Sequence, residues 1–176
     1  MREGRRSRRQ LTSRVCLGLA VACAYLSPMT FQVALAATVQ QNITVSLTLQ
    51  ADCKIQAATN MSFGVNGVID SNRDTTSTMD VQCTDTTPYT ISLNAGTGTG
   101  ATTTLRKLTS GGNTADYALY RNAGRTQTWG TSIGTDTVAG TGNGAVVVHT
   151  IYGRMPPQTT PAPGAYSDTV QITVTY

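Results

Sequence analysis

Apolar and polar residues alternate along much of this chain. Ile43, Val45, Leu47 and Leu49 are interleaved with Asn42, Thr44, Ser46, Thr48 and Gln50, a strict period of two. Residues two apart share one face of a β-strand, so this pattern predicts a strand with one buried face. Met79, Val81 and Cys83 alternate with Asp80 and Gln82, and Tyr89, Ile91 and Leu93 with Thr90, Ser92 and Asn94. Near the end, Tyr166, Val170, Ile172, Val174 and Tyr176 share one parity, while Thr169, Gln171, Thr173 and Thr175 take the other. Asp168 falls on the inner parity, so the clean strand is expected to begin near Thr169. Two further runs, Tyr117 to Tyr120 and Ala145 to Tyr152, are nearly continuously apolar and predict strands of greater burial.

Turn signals separate these segments: Asn66-Gly67, Gly111-Gly112-Asn113 and Asn143-Gly144. Pro156-Pro157 and Pro161-Ala162-Pro163-Gly164 break the chain before the last strand. No segment carries an amphipathic helical period. About seven short strands joined by turns predict an all-β fold, an immunoglobulin-like β-sandwich. The closing strand runs to Tyr176, so the sandwich is expected to lack the next strand of its sheet. The result would be an incomplete fold with an apolar groove and an unpaired edge. The alternating segment over 42–50 has the right shape to fill such a groove in another molecule.

The first residues change the charge balance. Arg2, Arg5, Arg6, Arg8, Arg9 and Arg14 form a basic region, followed by an apolar stretch from Val15 to Leu26 and the small-x-small run Ala34-Leu35-Ala36. This reads as an export signal over 1–36, with Ala37 as the first mature residue. Its apolar core is shorter than the roughly 20 residues that span a bilayer. The whole chain has 13 Lys+Arg and 9 Asp+Glu; six arginines and Glu3 lie in the leader, leaving 7 basic and 8 acidic residues and a net charge of −1. Bulk charge therefore offers no reason to expect nucleic acid as a partner. Removing 36 of the 176 residues leaves 140, the size of one domain, rich in Thr, Gly and Val. Cys16 and Cys23 fall in the leader. The remaining Cys53 and Cys83 are expected to pair in an oxidising compartment.

Candidate chemistry is sparse. His149 is the single histidine, placed within a predicted strand with no cysteine or carboxylate at useful spacing, and reads as a satisfied or exposed strand residue. The aspartates are scattered through turns, without the spacing of a carboxylate pair or a calcium loop. Gly96-Thr-Gly98-Thr-Gly100 and Gly140-Thr-Gly142-Asn-Gly144 lack a Walker lysine and a following helix, and read as flexible hairpin tips. Trp129, Tyr117, Tyr120 and Tyr152 offer either a ligand platform or, more simply, core packing. No catalytic, cofactor or metal residue is expected, and the chain does not read as an enzyme.

The order of elements resembles the spore coat protein U domain family, which includes subunits of archaic chaperone–usher pili. The carrying features are Ile43-Thr-Val-Ser-Leu-Thr-Leu49, Cys53, Phe63-Gly64, Val81-Gln82-Cys83, Thr87-Pro88-Tyr89-Thr90-Ile91 and Tyr117-Ala118-Leu119-Tyr120-Arg121. Trp129-Gly130, Tyr152-Gly153-Arg154 and the closing Gly164-Ala165-Tyr166-Ser167-Asp168-Thr169-Val170 complete the set, with Val174-Thr175-Tyr176 at the end. The resemblance implies a sandwich completed by donor-strand exchange. A periplasmic chaperone lends the missing strand, and an outer-membrane usher exchanges it for the N-terminal strand of the next subunit. It implies donor side chains Ile43, Val45, Leu47 and Leu49 and an acceptor groove lined by Val170, Ile172, Val174 and Tyr176. The chain would then comprise a signal over 1–36, a donor extension over 37–51 and a sandwich domain over 52–176. Its expected place is the cell surface, reached through the periplasm, in a pilus supporting attachment and biofilm. Two alternatives stand beside this: a self-complemented coat or matrix protein that does not polymerise, and a small carbohydrate-binding module.

Overall fold

The computed structural model describes residues 35–176, so the leader reading lies, through residue 34, outside the described residues. Eight strands form within residues 46–176: β1 (Cys53–Ala58), β2 (Arg73–Cys83), β3 (Pro88–Leu93), β4 (Arg106–Ser110), β5 (Asn113–Tyr120), β6 (Val138–Thr141), β7 (Val146–Met155) and β8 (Ile172–Thr175). They make a five-stranded sheet in the order β1-β2-β7-β5-β4 and a three-stranded sheet in the order β6-β3-β8. Every pairing is antiparallel. The fold is an incomplete immunoglobulin-like sandwich, all β among the described residues.

The alternation fixes which faces meet. Met79, Val81 and Cys83 of β2, Tyr89, Ile91 and Leu93 of β3, Tyr117 and Leu119 of β5, and Ile151 and Met155 of β7 turn into one core. Trp129 lies at its centre, and its indole Nε1 donates to the Ile91 carbonyl at 3.0 Å. Arg106 is also there, 0% exposed. A guanidinium is tolerated in such a place only when its donors are matched. Here Nε donates to Asn94 O at 2.8 Å, Nη1 to Thr103 O at 2.8 Å, and Nη2 to Leu93 O at 3.1 Å and Trp129 O at 2.7 Å. The side chain thus ties the end of β3 to the start of β4 and to the Trp129 segment.

Several elements differ from the sequence expectation. Residues 35–52 carry no strand and every one is exposed, so the alternating segment over 42–50 is a strand in pattern only. A strand exists through its ladder, and this segment has no ladder partner among the described residues. The final strand is shorter than 169–176, because only Ile172–Thr175 pair with β3 while the chain just before crosses between sheets. β5 and β7 extend beyond the apolar runs, since β4 pairs with the polar start of β5, and β2 and β5 pair with the end of β7. β1, β4 and β6 carry too little apolar alternation to stand out in sequence.

Cys53 and Cys83 are joined in a disulfide and face each other at the start of the β1–β2 ladder. Their sequence separation is 30. On the chain-entropy argument such a loop stabilises by about 3–4 kcal/mol. Reduction, or a Cys83→Ser substitution, is expected to lower the unfolding free energy by about that amount. A denaturant titration with and without reductant measures it.

Candidate functional site: an open groove between two sheet edges

β1 and β8 are edge strands of different sheets, and they approach each other along one side of the core. β8 pairs with β3 from Thr90↔Thr175 to Leu93↔Ile172. Among the described residues nothing pairs with its other edge. β1 likewise pairs only with β2, with a bulge between Ile55 and Ala57, and Ile55 is 41% exposed. Unpaired strand edges of this kind are templates for a further strand.

At one end of the space between them a single hydrogen bond reaches across. Tyr176 is 57% exposed, and its hydroxyl donates to Asp52 Oδ1 at 3.1 Å, linking the residue after β8 to the residue before β1. Toward the other end the walls part around a cavity of about 520 Å³. Its floor is Leu93, Leu119 and Ile151, contributed by β3, β5 and β7, and its walls include Ala58, Val170 and Ile172. A second cavity of about 680 Å³ shares Met61, Phe63 and Leu108 with the first and continues under the Pro161–Gly164 segment.

Of the acceptor residues named from sequence, Val170, Ile172 and Val174 are partly buried against the core, and the first two line the cavity. Val174 and Tyr176 lie beyond it, toward the end that the Tyr176–Asp52 hydrogen bond spans. The donor residues Ile43, Val45, Leu47 and Leu49 are 79–86% exposed. The floor residues Leu119 and Ile151 stand in the two apolar runs, but nothing in their spacing distinguishes a cavity floor from ordinary core.

A polar cluster rims the first cavity. Asp168 Oδ1 accepts from the Thr97 amide at 2.7 Å, the Thr97 hydroxyl at 2.9 Å and the Thr169 amide at 2.7 Å; Oδ2 accepts from the Tyr117 hydroxyl at 2.7 Å. Partial burial pushes the Asp168 carboxyl up, but hydrogen bonds from Thr97, Tyr117 and Thr169 together hold it below the ordinary range. Burial, reinforced by the neighbouring carboxylate, pushes the Tyr117 phenol well above its usual value. The Gly96–Gly100 segment, read from sequence as a flexible tip, is therefore anchored at Thr97.

The remaining chemical candidates are structural. His149 Nε2 lies 3.0 Å from the Tyr89 hydroxyl, and burial pulls its imidazole below the ordinary value. Trp129 and Tyr117 are buried, while Tyr120 and Tyr152 face each other in the β5–β7 ladder and are partly buried, with the Arg125 guanidinium 5.7 Å over the Tyr152 ring, so the four do not form one exposed platform. Among the described residues no His, Cys, Asp and Glu group is placed to hold a metal ion. The arrangement is suited to receiving an extended segment whose alternate side chains are apolar.

Comparison with known proteins agrees with this fold. Residues 39–173 match the Spore Coat Protein U domain. Protein U of Myxococcus xanthus is 29% identical over 173 residues, covering 90% of this chain and 96% of that protein. The fold is similar, at a TM-score of 0.52 and 23% identity, to a chain of a chaperone–tip adhesion subunit pre-assembly complex from archaic chaperone-usher Csu pili of Acinetobacter baumannii. That match covers 73% of this chain and 40% of the other, so this chain spans less than half of its structural neighbour.

Two titrations should mark the acid limb of stability. The Asp168 carboxyl is depressed in the fold, so its contribution is complete above the ordinary value of 3.8 and lost as pH falls through its lower folded value. The His149 imidazole is also depressed, so its neutral form favours folding above the ordinary 6.5, an advantage lost as pH falls below that value toward the folded one. Thermal midpoints measured from pH 7 to about 2.5 are expected to fall in both windows. Asp168→Asn should diminish the lower step, which Asp74 shares because the Arg154 hydrogen bond holds its carboxyl low, and His149→Gln should flatten the upper.

Proposed function

The chain belongs to the Spore Coat Protein U domain family, and from that premise we propose that it is a structural pilus subunit that polymerises by donor-strand exchange. One observation carries the reading. The same chain presents an open, apolar-floored groove between two unpaired strand edges and a strandless segment exposing four large apolar side chains on one parity.

In this reading residues 37–51 are the donor extension and residues 52–176 the accepting domain. Ile43, Val45, Leu47 and Leu49 enter the groove of a neighbouring subunit, against Val170, Ile172, Val174 and Tyr176. Backbone bonds to the free edge of β8 give affinity, and the period of two gives register. Burying four such side chains offers about 6–12 kcal/mol before the segment's ordering cost. Before assembly the groove is filled by a strand from a periplasmic chaperone, and an outer-membrane usher carries out the exchange. The chaperone partner draws support from the structural neighbour, whose complex pairs a chaperone with a tip adhesion subunit. Export through the periplasm to a surface pilus, serving attachment and biofilm, follows from that assembly route.

A second reading keeps the strand at home: a self-complemented coat or matrix protein. Its support is the family's description as a spore coat domain.

Non-boiled gel electrophoresis of the exported protein, co-expressed with its chaperone, separates the two. Strand exchange is expected to give a ladder of detergent-resistant multimers that vanishes when residues 37–50 are deleted, while the chaperone-bound subunit persists. The coat reading gives a monomer band, and the same deletion unfolds the protein. Val45→Asp or Leu47→Asp should likewise abolish the ladder, because an unpaired charge entering an apolar groove costs several kcal/mol. Unchanged multimer yield in both variants would remove residues 43–49 as the donor.

A further inference from the structure

The chain reaches β8 by crossing from one sheet to the other within a few residues. Ser167 is bonded to Thr109 of β4 in the five-stranded sheet, with Thr109 N to Ser167 O at 2.8 Å and Ser167 N to Thr109 O at 3.1 Å. Gln171 is already bonded to Asn94, just past β3 in the other sheet. The Asn94 amide donates to Gln171 O at 3.1 Å, and the Gln171 amide donates to Asn94 Oδ1 at 2.9 Å. Asp168 stands between these anchors with all four of its hydrogen bonds made to Thr97, Thr169 and Tyr117. The backbone at Gly96 has φ +83°, and a Cβ there would land on the Asp168 carboxylate, so glycine is what lets the loop close on it.

The partners of this cluster come from β4, β5 and the β3–β4 connection; none comes from β1, the opposite wall of the groove. Apart from the Tyr176–Asp52 hydrogen bond at its far end, the wall is therefore held without any use of the edge that strand addition needs. A four-residue strand paired on one side only is the kind of element that opens locally.

We propose that Asp168, with Thr97, Tyr117 and Asn94, is a positioning clamp that keeps β8 in strand-accepting register while the groove is empty. The inference rests on the groove being a strand acceptor. The clamp raises the fraction of chains whose groove is competent, and both apparent affinity and association rate scale with that fraction. Once a donor strand pairs along the free edge, β8 is held from both sides and the clamp becomes redundant. Its signature is slower association with dissociation unchanged.

The test uses the full exported chain carrying Leu47→Asp, which disables its own donor segment, and a labelled synthetic peptide of residues 39–51. Near-UV circular dichroism checks folding, and stopped-flow anisotropy gives both rate constants. Asp168→Ala is expected to slow peptide association about ten- to a hundredfold, as loss of charge-assisted hydrogen bonds implies, and to leave dissociation within about twofold. Asp168→Asn, which keeps the shape and part of the bonding, should fall between. Tyr117→Phe removes one bond, keeps the ring, and should slow association about threefold or more; it carries the test if Asp168→Ala does not fold. Folded variants with unaltered association, or with dissociation accelerated as much as association is slowed, would overturn the clamp and leave strand acceptance standing. Failure of the peptide to bind the chain with Asp168 intact, alongside absent multimers in the unmodified protein, would overturn both.

Discussion

A β-strand presents backbone donors and acceptors to two sides, and among the described residues β8 has a partner on only one of them. The arrangement of the whole groove follows from that unmet requirement. β3 fills the inner side from Leu93↔Ile172 to Thr90↔Thr175, and the outer side looks across the groove toward β1. A further strand at this position would lie over Leu93, Leu119 and Ile151, which belong to the core and also floor a cavity of about 520 Å³. The groove thus combines an apolar floor with free backbone groups.

A fold with one strand absent needs its walls held by other means. The β1 wall is fixed covalently to β2 through Cys53 and Cys83. The β8 wall is fixed by the Asp168 cluster and by Tyr176 reaching Asp52. Behind both, Arg106 ties carbonyls from three segments into the centre of the core, next to Trp129. These ties are polar or covalent, and together they replace part of the packing that a complete sandwich would draw from its final strand.

Much of this was legible in the residues, and the rest was hidden for physical reasons. Period two exposed the core faces of β2 and β3 and the inner parity of β8, because each buries one face against a common interior. The pairing of Cys53 with Cys83 followed from redox chemistry once the leader cysteines were set aside. Asp168 was visible only as an interruption of the inner parity. Its role depends on Thr97 and Tyr117, 71 and 51 residues away in sequence, and no local pattern joins them. Arg106 was hidden for the same reason: a charged residue at a strand start reads as surface until four carbonyls converge on it. The threonine- and glycine-rich segment around Gly96 looked mobile because composition reports conformational freedom and is silent about the hydrogen bonds that remove it.

On the proposed strand-exchange reading, the segment that gives and the groove that receives are different surfaces of the same chain. Contact between two copies by strand exchange is therefore heterologous: it lacks the twofold self-complementarity that closes most dimers. Each addition leaves one groove unfilled at one terminus of the assembly and one segment unused at the other. Such an assembly is an open filament with a direction, whose two ends are chemically distinct, and it stops only where a differently built partner occupies one of them.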